Sequence, residues 1–298
     1  MKAGEMSMGE PNMVDYFAKH LVGIGATQVH GDPPVENVFF IVGSVASIKD
    51  EWFFVTAGHC LAELEEAIKS SRVENFRLVD YMGQQARYKS PIPFDYGGSF
   101  KQFHHDERSG VDAGFVHIRS FYRRQLEANG IVAHDEVQWN RQPEKFQAAW
   151  MMGIPSSTVK RRDDETYWFS TSMIPLEILD STPQKFIDDS PGDLTDRERS
   201  LRDRLFYARF PGDIDLPKND RGDDDIKGMS GGPIFGFADS MGTPKYWIAA
   251  VQSCWYPTSR LIRGTPFPLI GDTMEGYLND PASRMSRTEA VERGSSLE

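Results

Sequence analysis

The stretch Ile226–Phe237, IKGMSGGPIFGF, sets one serine between glycines and runs straight into an apolar segment of β character. Taken alone, it fits either a plain glycine turn or a nucleophile held on one. A serine hydroxyl attacks only when a base can take its proton and fixed dipoles await the oxyanion. Ser230 therefore needs a histidine. The seven histidines, His20, His30, His59, His104, His105, His117 and His134, all precede it. GMSGG satisfies the G-x-S-x-G pattern of an α/β hydrolase, where the order is serine, acid, histidine, and that order cannot be completed here. An acid-histidine-serine order would need an aspartate in strand context before His59. Asp15, Asp32 and Asp50 all sit in turn-like or terminal sequence.

The order histidine, aspartate, serine remains, and two further stretches match it. In FFVTAGHC, Phe53–Cys60, a β-type run ends in small residues and delivers His59 at the start of a helical pattern. In GVDAGFVHI, Gly110–Ile118, Asp112 opens another β-type run, where a buried carboxylate could fix the tautomer of an imidazole. With GMSGGP as the third motif, roughly residues 36–280 resemble the trypsin or chymotrypsin-like serine peptidases.

The resemblance implies His59 as general base and acid, Asp112 as its orienter, Ser230 as nucleophile, and the Gly228 and Ser230 amides as oxyanion hole. It matches AVQSCWYP, Ala250–Pro257, to the strand beside the specificity pocket, which assigns Ser253, Cys254 and Trp255 to the pocket. Asp224, six residues before the serine, takes the position at the pocket base, where a carboxylate would select Arg or Lys. Asp223, Asp224 and Asp225 also read as an ordinary acidic loop, and Trp255 stands where trypsin has glycine, so basic and small side chains both stay open. The implied fold is all-β: two six-stranded antiparallel β-barrels with the cleft between them, followed by a helix around Asp272–Leu278. Protein or peptide is the implied substrate, and no cofactor is expected.

The chain also departs from the family. Met229 replaces the aspartate that pairs with a newly cut N-terminus in digestive enzymes. This points to an intracellular or bacterial-type branch, competent without such cleavage. Cys60 matches the cysteine after the histidine, but its usual partner position near Ile41 holds no cysteine, so a free, buried thiol is expected.

Around these motifs, Val38–Ala57 reads as two β-rich runs joined by Lys49 and Asp50, a hairpin signal. Further short β-type runs fall at Phe76–Tyr81, Gly114–Ile118, Ala148–Gly153, Thr166–Ile174, Pro233–Phe237 and Tyr246–Ser253. Helical patterns are few: Met13–Leu21, Cys60–Ser70, and one from Thr195, where TDRE forms a capping box. Asp180–Lys227 carries 13 acidic and 9 basic residues and reads as a charged surface insertion, either a solvated face or a docking site for a specific partner. The expected organisation is one peptidase unit: residues 1–35 as an N-terminal extension, 36–140 as the first barrel, 141–280 as the second barrel with insertion 180–227, and 281–298 as a mobile tail.

Composition narrows the function classes. A net charge of −11 argues against nucleic acid, which is bound through basic groups. No apolar run approaches the roughly 20 residues that cross a bilayer. The start lacks a secretory pattern and only two cysteines occur, so a reducing, cytoplasmic setting is expected. His59 and Cys60 lack further Cys or His at zinc spacing, and no metal is expected. His104 and His105 read as solvated rather than as ligands, Asp106 is a weaker candidate orienter than Asp112, and His117 reads as structural. Cys254 reads either as an inert buried thiol or as a redox switch.

Overall fold

The computed structural model describes residues 13–30, 35–82, 91–140, 142–161, 167–218, 221–222, 224–240 and 243–280. Asp32, Asp223 and the tail from 281 lie outside them. Seven antiparallel strands make the first sheet: β1 (Leu21–His30), β2 (Val35–Ile48), β3 (Glu51–Thr56), β4 (Arg72–Val79), β5 (Ile92–Pro93), β6 (Lys101–His105) and β7 (Asp112–Ile118). Their spatial order is β5-β4-β1-β2-β3-β7-β6. The hairpin between β2 and β3 turns at Lys49 and Asp50, with φ of 50° and 65°. Paired left-handed residues of this kind match the twist of the strands they join.

The second half adds β8 (Ala148–Gly153), β9 (Lys160–Arg161), β10 (Tyr167–Trp168), β11 (Ser172–Ile178), β12 (Phe206–Arg209), β13 (Pro233–Ser240), β14 (Thr243–Tyr256) and β15 (Leu261–Pro266). Six of these close into a barrel in the order β11-β12-β15-β14-β13-β8, and β9 pairs with β10 alone. The expected pair of barrels is thus met by one closed barrel and, among the described residues, one open sheet. The sheet ends on β5, only two residues long, and on β6, whose sequence KQFHH is largely exposed.

Helices are short: α1 (Met13–Ala18), α2 (Gly58–Ser70), α3 (Ser120–Ala128), α4 (Glu136–Trp139), α5 (Gln184–Asp188), α6 (Asp196–Asp203) and α7 (Phe267–Asn279). The capping box at Thr195 is present, with the Glu198 amide donating to Thr195 Oγ1 and the Thr195 amide donating to Glu198 Oε2. None of the described helices is long and apolar enough to cross a membrane.

Two segment readings need correction. Residues 1–35 include α1 and β1, and β1 sits inside the first sheet between β4 and β2. Its alternation is hidden because both faces are covered, so Leu21, Val22 and Ile24 are all buried. Likewise, 180–227 is not only surface: it supplies the barrel strand β12 and buries Phe186, Leu205 and Tyr207 with Leu261. The two halves share a core in which Ala46, Ile48, Phe53 and Val55 meet Ile248, Val251, Phe267 and Ile270. That shared core fixes the relative position of the residues described next.

Candidate active site

β3 ends at Thr56, and the chain enters α2 through Gly58. A side chain on Gly58 would sit 2.0 Å from the His104 carbonyl oxygen and 2.9 Å from Asp112 Oδ1, so glycine lets the carboxylate approach the backbone. There the His59 amide donates to Asp112 Oδ1 at 2.8 Å and His59 Nδ1 donates to Oδ2 at 2.7 Å. One carboxylate thus holds both the ring and the main chain of His59. The imidazole is 22% exposed and the Asp112 side chain 3%, so the base is reachable while its orienter is dry. Burial alone would push the Asp112 carboxyl up, but the His59 hydrogen bonds hold it below the ordinary carboxylate range. Its amide donates to Thr265 Oγ1 at 3.0 Å and Thr265 Oγ1 donates to the Asp112 carbonyl at 3.1 Å, tying β7 to β15 of the barrel.

The other ring nitrogen, His59 Nε2, faces Cys60 Sγ at 3.5 Å. The same sulfur donates to the Ser230 carbonyl at 3.7 Å, which sets the serine turn beside the imidazole. No hydrogen bond joins the Ser230 hydroxyl to His59 in this arrangement of the described residues. Burial lowers the His59 pKa, but the contacts with Asp112 and Cys60 outweigh it, and the imidazole is pushed up to about 11. The site therefore favours the protonated form of the ring.

The serine turn is shaped by its backbone. Gly228 and Gly231 have φ of 89° and 88°, in a region costly for residues with a Cβ. A Cβ on Gly231 would lie 1.9 Å from Thr56 Oγ1 and 2.5 Å from the Val42 carbonyl oxygen, so the turn rests directly on the first sheet. The Lys227 carbonyl accepts from the Ser156 amide at 2.7 Å, and the Met229 carbonyl accepts from the Gly232 amide at 3.0 Å. In a trans peptide, C=O and N–H point in opposite directions. The Gly228 and Ser230 amides, which share those two peptide planes, therefore face away from Ser156 and Gly232. Among the described residues neither amide has a hydrogen-bond acceptor, whereas the amides of Met229, Gly231 and Gly232 all do. Met229 itself is fully buried in the barrel core with Ile226 and Ile234.

A cleft of about 600 Å³ opens in front of His59. It brings His59 and Asp112 together with Ser253, Cys254 and Trp255, three of the four pocket residues read from sequence. Asp224 is elsewhere: its carboxylate pairs with Lys218 and lies 3.9 Å from Arg260, and it does not line this cleft. Cys60 and Cys254 are both free and half-buried, and burial pushes the Cys254 thiol up. His117 is packed and bonded to Glu51. Asp106 caps its own turn, accepting from the Arg108 and Ser109 amides.

The charged segment forms one wall of the cleft, through Phe186, Asp189, Pro191 and Arg202. Arg202 is buried, donating to the Arg108 carbonyl at 2.6 Å and to Ser190 Oγ at 2.6 Å. It thereby fastens that wall to the loop leading into Asp112. His105, read from the sequence as solvated, lines the cleft as well, and so does Arg263, which the sequence reading passed over. For His105 the available signal was strand pairing, because the β6–β7 register sets it opposite Asp112.

No protein-family model matches the sequence, and no curated protein matches it either. Among solved structures, the chain is similar to the crystal structure of a scabies mite inactivated protease paralogue, S-I1. Identity is 12% and the TM-score 0.45, with 91% of this chain and 100% of that chain covered. At that level the likeness assigns no role to any residue here.

Proposed function

We propose that the chain is a trypsin-like serine endopeptidase that cuts peptide bonds in protein substrates through an acyl-enzyme. The observation that carries this reading is the meeting of the His59–Asp112 pair, its carboxylate buried, with a serine turn whose Gly228 and Ser230 amides have no acceptor among the described residues. Ser230 Oγ would attack the scissile carbonyl as His59 Nε2 takes its proton, and the two amides would hold the oxyanion. His59 would then protonate the leaving amine, and water would release the acyl group by the same steps in reverse. Asp112 stays ionised throughout and keeps the Nδ1 proton in place.

The contacts with Asp112 and Cys60 favour the protonated ring, so activity would rise with pH as the Nε2 proton leaves. Met229 suggests how the turn is held without an N-terminal ion pair: an apolar anchor in the barrel core replaces a charge contact. Ser253, Cys254 and Trp255 would lie along the substrate backbone, with the wall from Phe186 to Arg202 selecting side chains or docking one partner protein. Two free cysteines fit a reducing compartment such as the cytoplasm.

A fluorophosphonate, which phosphonylates an activated serine, tests the reading. The expected result is one adduct at Ser230, absent from Ser230→Ala. No serine adduct on the folded protein at any pH up to the His59 transition would sink it.

A further inference from the structure

The cleft holds a second imidazole, His105, for which peptide hydrolysis has no use. β6 and β7 pair in a register that sets His105 opposite Asp112. His105 Nδ1 lies 3.4 Å from Asp112 Oδ1, and its ring centroid is 5.8 Å from that of His59. One donor atom from each of His59, His105 and Asp112 lies within 4.8 Å of the other two. Zinc binds imidazole nitrogen and carboxylate oxygen at about 2.0–2.2 Å in a tetrahedron, which puts donor atoms roughly 3.4 Å apart. The His105–Asp112 pair already has that spacing. The widest pair needs to close by at most about 1.4 Å to reach it, and the His105 side chain, 44% exposed on the edge strand, has room to move. Glu63, Glu107 and Asp189 line the same cleft, together with Arg202 and Arg263.

We propose that His59, His105 and Asp112 form a binding site for a divalent transition-metal ion of the zinc type, with its fourth position open to the cleft. Two imidazoles and one carboxylate suit zinc or cobalt, whereas magnesium and calcium require mostly oxygen ligands. An ion here takes a lone pair of the His59 ring, and any ring proton it displaces goes to solvent. The ring can then no longer accept the Ser230 proton, so the ion reversibly silences the serine. This consequence rests on the peptidase reading, but the binding itself does not.

The test is a titration of the full metal-free chain with Co²⁺, read by its visible ligand-field absorption. One equivalent saturates, Zn²⁺ displaces it and Mg²⁺ does not, and both His105→Ala and His105→Gln weaken binding by at least about tenfold. Fluorophosphonate labelling of the same samples slows with Zn²⁺ in the parent chain and not in the His105 variants. A flat cobalt titration, or equal binding by the folded His105 variants, overturns the site. Labelling of the metal-free chain with no cobalt signal leaves the peptidase reading standing alone. A tetrahedral cobalt spectrum with no labelling in any form supports the site and removes the peptidase reading.

Discussion

Beside the first sheet, at the start of α2, His59 is held by charge and hydrogen bonds: two donors to one buried carboxylate, with Gly58 making room. On the barrel, Ser230 is held by shape: two left-handed glycines, carbonyls pinned by Ser156 and Gly232, and Met229 sunk in the apolar core. The first arrangement depends on protonation state and should fail through chemistry. The second depends on packing and should fail through stability. If the proposed activity holds, a site assembled across two such supports would lose it on either side by different routes.

The largest expected effect is on the charged side. Asp112→Asn keeps the shape but no longer fixes the His59 tautomer, and labelling of Ser230 should slow by about 10⁴-fold. Rates measured beside circular dichroism spectra check this, and a loss under tenfold would break the electrostatic half of the comparison. On the packing side, Met229→Ala should lower unfolding free energy by about 2–5 kcal/mol through the cavity it leaves, and Met229→Leu by under about 1.5 kcal/mol. Urea denaturation reads both, and equal effects would mean that Met229 is not an apolar anchor.

A third test uses pH. His20 and His134 are fully buried and stacked with ring centroids 4.0 Å apart. Burial pushes His20 down to about 4 and His134 well below its ordinary value. The unfolded chain therefore binds protons first, and stability present above pH 6.5 is lost as pH falls towards 4. His20 alone contributes about 3 kcal/mol of this loss. His59 has the opposite sign: its raised pKa contributes stability that is complete below pH 6.5 and lost as pH rises towards 11. Denaturation midpoints from pH 4 to 10 should trace a dome, and a flat acid limb would rule out the buried pair as its cause. The smallest effect is expected at Cys60. Cys60→Ala removes one of the contacts that raise the His59 pKa, so the pH of half-maximal labelling should move down. An upward move would show that the thiol helps the base.

His59, Asp112 and Ser230 were legible as candidates because each sits in a short local pattern: a strand running into small residues at His59, an aspartate opening a strand at Asp112, glycines around Ser230. Ala148–Gly153 was legible for the same reason, as an apolar run between turns. What stayed hidden depends on distant partners. β1 carries no alternation because both its faces are covered, and β12 is four residues, FYAR, set among charges that masked it. Asp224 was placed by counting back from the serine, but its actual neighbours, Lys218 and Arg260, are chosen by loop geometry. His105 looked like solvated polar sequence, and only pairing across β6 and β7 brings it to Asp112.

The first helix leaves its mark on the order of assembly. Phe17 of α1 packs against Phe235, with ring centroids 4.5 Å apart, and shares its cluster with Met152 and Ile154. It leaves the ribosome before Phe235, which follows on the order of 10–40 s later at about 5–20 residues per second. During that interval α1 waits without its seat, so its apolar face needs shielding until β13 is made.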